Sequence, residues 1–310
     1  MTDPSGHAVR PGTPWRPPPA ALLAYQAGSV VARALPAPLA TATGRTAGFW
    51  LTVGMAGRRA MVERHLQRIH GRRLGPVALR REVHRTFDSY ARYWLEAFRL
   101  PDLTPAELDA GMVAEGREHL DEALAAGNGV IMALPHLGGW DFGGAWLAAQ
   151  GYAVTVVVEP LDPPELFDWF ARLRRGIGLT VVPLGPDAGR VVLRALRRNE
   201  VVGLLCDRDI DGTGVEVELF GERTTLPAGP VTLALRTGAV VLPTAVYFDG
   251  EGHRGVIHPP LELARTGGLR ADVAAGTQEL ARALEAMIAR APEQWHVLQP
   301  NWPSDRAATS

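Results

Sequence analysis

Two ionisable residues follow a short apolar run in the middle of the chain. His136 comes just after the run from Val130 to Leu134, and Asp141 follows His136 by five positions. Five positions are about 140° around an ideal helix, so the two side chains meet only if His136 lies in a loop and Asp141 in the first helical turn. A carboxylate that holds one imidazole nitrogen would make His136 a general base. The alternative is an ordinary loop histidine and an acidic residue at a helix start.

A second charged cluster, Asp207-Arg208-Asp209, follows the apolar run from Val201 to Cys206. Short continuous apolar runs of this kind are typical of buried strands. Because parallel strands share a carboxyl end, where open α/β sheets bind ligands, we expect this cluster at the same sheet edge as His136. The alternative is a charged turn with an internal ion pair.

The stretch around His136 also resembles a known motif. The His-x4-Asp motif of the bacterial lipid A acyltransferase family is similar to Pro135-His136-Leu137-Gly138-Gly139-Trp140-Asp141. The resemblance covers about residues 20–300 and includes further segments in the family's order. These segments are Leu173–Leu179, Cys206–Asp209, Val215–Gly221 and Leu226–Pro230.

This resemblance implies roles for individual residues. His136 would remove a hydroxyl proton as a catalytic base, and Asp141 would orient it. Glu216 is the best match to the family's second functional carboxylate, with Glu218 or Asp209 as the alternatives. The residues expected to bind substrate are Arg174, Asp207, Arg208, Asp209 and Trp140.

The family's substrates imply the reaction. A mannose hydroxyl of phosphatidylinositol mannoside, or of a related glycolipid, would attack the thioester of an acyl-CoA that carries a palmitoyl-type chain. Backbone N–H groups of residues 137–140 would stabilise the oxyanion. Acyl-CoA is then a co-substrate, with no metal and no other cofactor required. The alternatives are an acyltransferase of the same family acting on another glycolipid or lysolipid, and a non-catalytic lipid-binding protein on this scaffold.

Composition narrows the chemistry independently. The 310-residue chain has a formal net charge of -1, which argues against a general nucleic-acid binder. All 32 Lys and Arg positions are arginine, so chemistry that needs a lysine is excluded. Cys206 is the only cysteine, and no serine stands in a Gly-x-Ser-x-Gly sequence, so the chain has no plausible covalent nucleophile.

Apolar runs alternate with segments of helical periodicity from residue 127 onwards. This alternation predicts an α/β fold with a mostly parallel central sheet, flanked by helices on both faces, and an N-terminal helical region. We expect a single domain over residues 20–300, helical from 20 to 126 and α/β from 127 to 300, between a disordered tail at 1–19 and a tail at 301–310. Predicted strands are 130–134, 152–158, 180–183, 201–206, 215–220, 240–247 and 255–258, and predicted helices include 103–126, 164–175, 187–198, 226–236 and 271–291.

The N-terminal region has features of a membrane-facing surface. Eleven arginines and four acidic residues lie between Arg58 and Arg99, and aromatic and aliphatic residues recur there at helical spacing. The excess of positive charge predicts either a solvated helix face or a surface for anionic lipid. The chain has neither a signal-peptide pattern nor an uninterrupted apolar span of about 20 residues. We therefore expect a peripheral protein at the cytoplasmic face of the cell membrane.

Overall fold

The structure is a computed structural model that describes residues 20–35, 48, 51–71 and 73–307. The predicted tail at 1–19 and the last three residues of the predicted C-terminal tail lie outside the described residues. The helices are α1 (Ala20–Ala34), α2 (Ala56–Ile69), α3 (Pro76–Arg99), α4 (Pro105–Ala110), α5 (Arg117–Ala125), α6 (Trp140–Ala149), α7 (Pro164–Gly176), α8 (Ala188–Arg197), α9 (Gly229–Thr237), α10 (Leu269–Arg290) and α11 (Pro303–Ala307). The strands are β1 (Met112–Glu115), β2 (Val130–Leu134), β3 (Val154–Val158), β4 (Thr180–Pro183), β5 (Val201–Leu205), β6 (Val215–Leu219), β7 (Glu222–Leu226), β8 (Val240–Asp249) and β9 (Gly252–Ile257).

Seven strands form the central sheet in the order β1-β9-β8-β2-β5-β3-β4. The five strands from β8 to β4 are parallel, whereas β9 returns antiparallel to β8 and pairs in parallel with β1. The predicted α/β fold with a mostly parallel sheet is confirmed. Strand β2 lies between β8 and β5, which explains why its residues are apolar on both faces.

The two faces of β2 contribute to separate apolar cores. Val130 and Met132 pack in one core with Phe142 and Trp146 of α6. Ile131 and Ala133 belong to the other core; it includes Leu280, Leu284 and Met287 of α10. Helices therefore cover both faces, and the loop after β2 emerges at the sheet edge between them.

The predicted helix over residues 103–126 is wrong in its middle. Thr104 begins α4 with the expected capping box, in which its hydroxyl accepts from the Glu107 N–H and the Glu107 carboxylate accepts from the Thr104 N–H. The chain then forms β1, which pairs with β9, and resumes as α5. Gly116 separates β1 from α5 at a φ of 74°, and a Cβ there would lie 2.0 Å from the Ile257 carbonyl oxygen. The local pattern is helical, but pairing with the distant strand β9 overrides it.

The N-terminal helices bury an apolar side, but only some of their arginines are exposed; the Arg68 side chain is 13% exposed and pairs with Glu222 and Asp305. Val83 and Phe87 of α3 are buried, whereas Arg81 and Arg85 on the same helix are exposed. Tyr25 of α1 packs against aromatic rings of α3 and α7. Among the described helices, none is long and apolar enough to cross a membrane.

Residues 301–307 are not a tail. Trp302 and Asp305 are fully buried, with relative exposures of 1% and 0%. The Asp305 carboxylate lies 3.2 Å from His65 Nε2 and 3.2 Å from Arg68 Nη2, and it accepts from the N–H groups of Asn301 and Trp302. The last part of the chain is thereby anchored to α2.

The ionised carboxylate of Asp305 should make this anchor a pH-dependent contribution to stability. Burial acts to raise the pKa of Asp305, but hydrogen bonds from His65 and the Asn301 N–H, together with Arg68, hold it well below its usual value. An Asp in the unfolded chain titrates near 3.9, so the folded state gains stability above that pH and loses it as the pH falls. Asp305→Asn should lower the free energy of unfolding by about 2 kcal/mol at pH 7, measured by urea unfolding.

The difference between Asp305→Asn and the wild type should shrink as the pH is lowered from 5 towards 3, because Asp305 takes up a proton in the unfolded chain over this range while it stays ionised in the folded protein. Glu279→Gln, at an exposed i,i+3 pair with Arg282 on α10, is the matched surface control. A difference that stays constant over this pH range would mean that the charge of Asp305 does not contribute to stability.

Candidate active site

His136 and Asp207 form a hydrogen-bonded pair at the carboxyl end of the sheet. His136 Nδ1 lies 2.6 Å from Asp207 Oδ1, and the His136 backbone N–H donates to Asp207 Oδ2 at 2.8 Å. The register of β2 and β5 pairs Leu134 with Leu205, so the residues two positions beyond each strand are neighbours. The expectation that Asp207 lies at the same sheet edge as His136 is confirmed.

The ionised carboxylate of Asp207 determines the histidine tautomer. Burial acts to raise the pKa of Asp207, but His136 and the hydrogen bonds from His136 and Trp295 hold it below its usual value. A carboxylate only accepts, so the proton of the neutral imidazole lies on Nδ1 and the lone pair on Nε2. Asp207 is fully buried and 21% of the His136 side chain is exposed, so Nε2 belongs to the accessible edge of the ring. The neutral imidazole thus has an acceptor nitrogen on its accessible edge.

The predicted pairing of His136 with Asp141 is wrong. Asp141, in the first turn of α6, accepts two hydrogen bonds from Arg174, both of 2.9 Å, and one from the Tyr93 hydroxyl at 2.8 Å. Burial raises the pKa of Tyr93 well above its usual value, and the Asp141 charge adds to this, so the phenol stays protonated and donates. Asp141 therefore joins α6 to α3 and α7 and does not orient the imidazole.

Arg174 is held in this buried cluster near the end of α7. Burial acts to lower the pKa of Arg174, but Asp141 and Tyr93 raise it further above its usual value. Nε and Nη2 are used by Asp141, whereas Nη1 has no hydrogen-bond partner among the residues that the structure describes. Arg174 also lines the cavity described below.

Among the described residues, none of the three candidates for the second functional carboxylate is hydrogen-bonded to His136. Glu216 is on the hairpin β6–β7, where it is exposed and 3.3 Å from Arg223. Glu218 is exposed on the same strand, and neither glutamate lines the cavity. Asp209 lines the cavity but accepts from the N–H groups of Gly212 and Gly214, which shapes its own loop. The carboxylate beside His136 is Asp207, placed by the sequence among the substrate-binding residues.

Several side chains near the pair were missed by the sequence reasoning because they come from distant segments. Trp295 Nε1 donates to Asp207 Oδ2 at 2.7 Å. His296 is buried, its Nε2 is 2.8 Å from Ser89 Oγ, and burial followed by the charge of His136 lowers its pKa to about 3. His296 is therefore neutral at neutral pH.

Trp140 lies between the two histidines. Its ring centroid is 5.4 Å from that of His136 and 5.6 Å from that of His296, and it stacks on Tyr93 at 4.0 Å. The half-buried indole lines the cavity, and its role in substrate binding stays a prediction. Arg208 also lines it, 3.8 Å from Glu159.

A deep cavity of about 610 Å³ lies between α6 and the sheet. This volume is in the range of small-molecule sites. Gly143 lets α6 approach the sheet closely, since a Cβ there would lie 2.6 Å from Val246 Cγ2. The polar part of the lining includes His136, Trp140, Asp141, Arg174, Arg208 and His296, and the apolar part includes Met132, Val154, Val156, Gly203, Leu205 and Val246.

The N–H groups predicted to stabilise an oxyanion are mostly engaged. Those of Leu137, Gly138 and Gly139 donate to the carbonyl oxygens of Pro135, Gln294 and Val246. The prediction for these three donors is wrong, because the loop uses them to hold its shape. Within the described part of the chain, no group of three or more His, Cys, Asp or Glu side chains is placed to hold a metal ion.

A histidine held by a buried carboxylate beside a deep apolar cavity, on an α/β sheet, is an arrangement suited to transferring an acyl group to a hydroxyl. The sequence comparisons agree with this class. The chain belongs to the bacterial lipid A biosynthesis acyltransferase family, whose profile matches residues 18–304. The protein is thus an acyltransferase.

Individual relatives are similar over most of the chain. A phosphatidylinositol mannoside acyltransferase of Mycobacterium tuberculosis is 38% identical over 309 residues, covering 98% of this chain and 92% of that protein. One of Mycolicibacterium smegmatis is 37% identical over 288 residues, covering 91% of each. A lipid A biosynthesis acyltransferase of Haemophilus influenzae is 28% identical over 186 residues, covering 58% of this chain and 55% of that protein.

Proposed function

We propose that this acyltransferase moves a fatty acyl group from acyl-CoA to a mannose hydroxyl of phosphatidylinositol mannoside, with His136 as the general base. The observation that carries the proposal is the bond between His136 Nδ1 and the buried Asp207, which leaves Nε2 as a base beside the cavity. The choice of acceptor is supported by the two mycobacterial relatives, which are phosphatidylinositol mannoside acyltransferases.

The chemistry is a direct attack on the thioester. His136 Nε2 takes the proton of the acceptor hydroxyl as its oxygen bonds to the acyl carbon. Asp207 stabilises the imidazolium, and the C–S bond then breaks to release the CoA thiolate, which takes up a proton. A covalent route through Cys206 is disfavoured, because burial and then the Asp207 charge raise the pKa of this buried thiol.

Arg174 and Trp140 are the groups we assign to substrate binding. The unpartnered Nη1 of Arg174 is a charged donor for the oxyanion or for an acceptor oxygen. Trp140, held by its stacking on Tyr93, presents an aromatic surface to the sugar or the acyl chain. Burial of the acyl chain along the apolar lining beneath α6 would supply most of the binding free energy of the donor.

The N-terminal helices are the proposed membrane-binding surface, at the cytoplasmic face where acyl-CoA is found. Leu23 and Val30 on α1 are each 69% exposed, and Val77 at the start of α3 is 83% exposed. The arginine-rich α2 and α3 would add attraction to anionic lipid. Co-sedimentation with vesicles containing phosphatidylinositol tests this: Leu23→Asp with Val77→Asp should weaken binding, and unchanged binding would refute the assignment.

Acyl transfer from palmitoyl-CoA tests the reaction itself. Free thiol release is followed by colorimetry, and the lipid product by mass spectrometry, with mannosylated phosphatidylinositol, plain phosphatidylinositol or no acceptor. We expect release that requires the mannosylated acceptor. Thiol release that requires a different acceptor would show that the protein acylates another lipid. Thiol release without any acceptor would indicate a thioesterase. Binding of acyl-CoA without release would favour the non-catalytic alternative.

The apolar lining of the cavity at Gly203 should limit the length of the acyl chain. Gly203 lies in β5 on the cavity side, and a Cβ there would be 3.3 Å from Val156 Cγ1. Gly203→Leu should exclude two or three methylene groups, each worth about 0.8 kcal/mol when buried, and so lower kcat/KM for palmitoyl-CoA by about 30-fold. Activity with octanoyl-CoA should change little, which a comparison of chain lengths measures.

Val202→Leu is the matched control for Gly203→Leu. Val202 is the preceding residue of β5, it packs in the other core, and it does not line the cavity. Overpacking there should leave the ratio of activities on long and short donors at the wild-type value. An unchanged ratio in Gly203→Leu as well would place the acyl chain elsewhere.

A further inference from the structure

The segment Gln294–Asn301 contacts both members of the His136–Asp207 pair. Its first residues run beside the loop that follows β2: the His296 N–H donates to the His136 carbonyl at 2.8 Å, and the Gly138 N–H donates to the Gln294 carbonyl at 2.9 Å. Leu137 and Trp295 form an antiparallel bridge between these main-chain contacts. The backbone of His136 is therefore fixed by a segment 160 positions later in the chain.

The same segment also holds Asp207 at two atoms. Trp295 Nε1 donates to the carboxylate oxygen Oδ2 at 2.7 Å, and Asn301 Nδ2 donates to the backbone carbonyl of Asp207 at 3.0 Å. Trp295, Asn301 and Asp207 are all buried, so water does not replace these donors. The Asp207 Oδ2 atom receives two donors, the Trp295 indole and the His136 N–H, which leaves Oδ1 directed at the imidazole.

We infer that Trp295 is a positioning residue for acyl transfer, whose indole N–H fixes the Asp207 carboxylate so that its Oδ1 orients His136. Asn301 supports it from the backbone side. This inference rests on the proposed role of His136 as the base, but it concerns how the base is held and is independent of donor and acceptor. Its consequence is that the last part of the chain completes the catalytic geometry.

The sign of the expected effect follows from the charges. The Trp295 hydrogen bond stabilises the carboxylate most when no imidazolium neutralises it, that is, in the deprotonated pair. Loss of this donor destabilises the deprotonated pair more than the protonated one. Without this donor, the pair should take up its proton at a higher pH than in the wild type. As the solution is acidified, the activity of the variant should therefore begin to fall at a higher pH than that of the wild type.

The test replaces Trp295 by phenylalanine and, in a second variant, by 3-benzothienyl-alanine, which keeps the ring shape and lacks the N–H. We expect kcat to fall by about tenfold, with the KM values for acyl-CoA and acceptor unchanged. In the plot of kcat against pH, we expect the fall on the acid side (the acid limb) to move to higher pH by about half a unit. The benzothienyl variant avoids a cavity, so its change cannot come from lost packing.

Trp302→Phe is the matched control. Trp302 is a buried indole 6.1 Å from Trp295, and its Nε1 donates to the Leu219 carbonyl and not to the pair. Its acid limb should coincide with that of the wild type. An acid limb of the Trp295 variants at or below the wild-type position would overturn the inference.

A second readout separates this inference from the proposed function. NMR titration of the His136 ring carbons, assigned by their loss in His136→Asn, measures proton uptake by the pair without any substrate. If the wild type fails to transfer acyl groups from acyl-CoA, the proposed donor is wrong, yet the titration midpoint still tests Trp295. If transfer occurs and the midpoint of the benzothienyl variant is not raised, the positioning role is wrong and the proposed function stands.

Discussion

His136→Asn is expected to lower kcat for acyl transfer by about 10³-fold, with little change in the KM of donor or acceptor. The expected size follows from the usual contribution of a positioned general base, and the unchanged KM from the role of Nε2 in the transition state only. Thiol release from palmitoyl-CoA in the presence of acceptor measures kcat. His119→Asn, at a partly exposed histidine on α5 outside the cavity lining, is the matched control and should retain wild-type activity.

Asp207→Asn should have a related effect for a different reason. An amide can donate to Nδ1, which would move the imidazole proton to Nε2 and remove the basic lone pair from the accessible edge. We expect a fall in kcat of about 10²-fold or more. Because both residues act as one unit, the double variant should be no less active than His136→Asn alone. If the loss of kcat in the double variant equals the product of the two single losses, the two residues do not act as one unit. If His136→Asn retains activity, His136 is not the general base.

The position of the catalytic loop could be predicted from sequence, but the partner of His136 could not. A short apolar run followed by a Gly-rich turn predicts a strand that leads to a loop, and the shared edge of parallel strands predicts that Asp207 lies nearby. The spacing of His136 and Asp141, however, describes only local geometry. His136 and Asp207 are 71 positions apart in the chain, and their contact depends on the register of β2 with β5. The five-residue spacing therefore indicated the wrong carboxylate.

The errors at the edges of the fold have the same physical origin. Residues 112–115 have a helical context, but they pair with β9, which comes about 140 positions later. Trp302 and Asp305 follow a Pro-containing stretch that is typical of a tail, yet their burial depends on His65 and Arg68 of α2. Local patterns predict elements well where the elements are continuous, and they do not carry the long-range contacts that place single side chains.

Asp141→Asn should cause a large loss of stability. The substitution leaves the Arg174 guanidinium, 14% exposed, without its counter-charge, and breaking a buried ion pair from one side costs about 3–5 kcal/mol. Tm should therefore fall by on the order of 10 °C, measured by differential scanning fluorimetry, with the free energy of unfolding taken from urea titration. Asp187→Asn is the matched surface control, since its pair with Arg190 is more than 70% exposed and should contribute less than about 0.5 kcal/mol.

A double variant separates the charge from the packing. Asp141→Asn combined with Arg174→Gln removes the uncompensated charge, so it should regain part of the stability that Asp141→Asn loses, although activity should stay low because Arg174 is absent. The acid limb of activity in Asp141→Asn should match the wild type at a temperature where both are folded, because Asp141 does not touch His136. A wild-type Tm together with a displaced acid limb would restore Asp141 as the residue that orients the base, and Asp207 would then be the structural carboxylate.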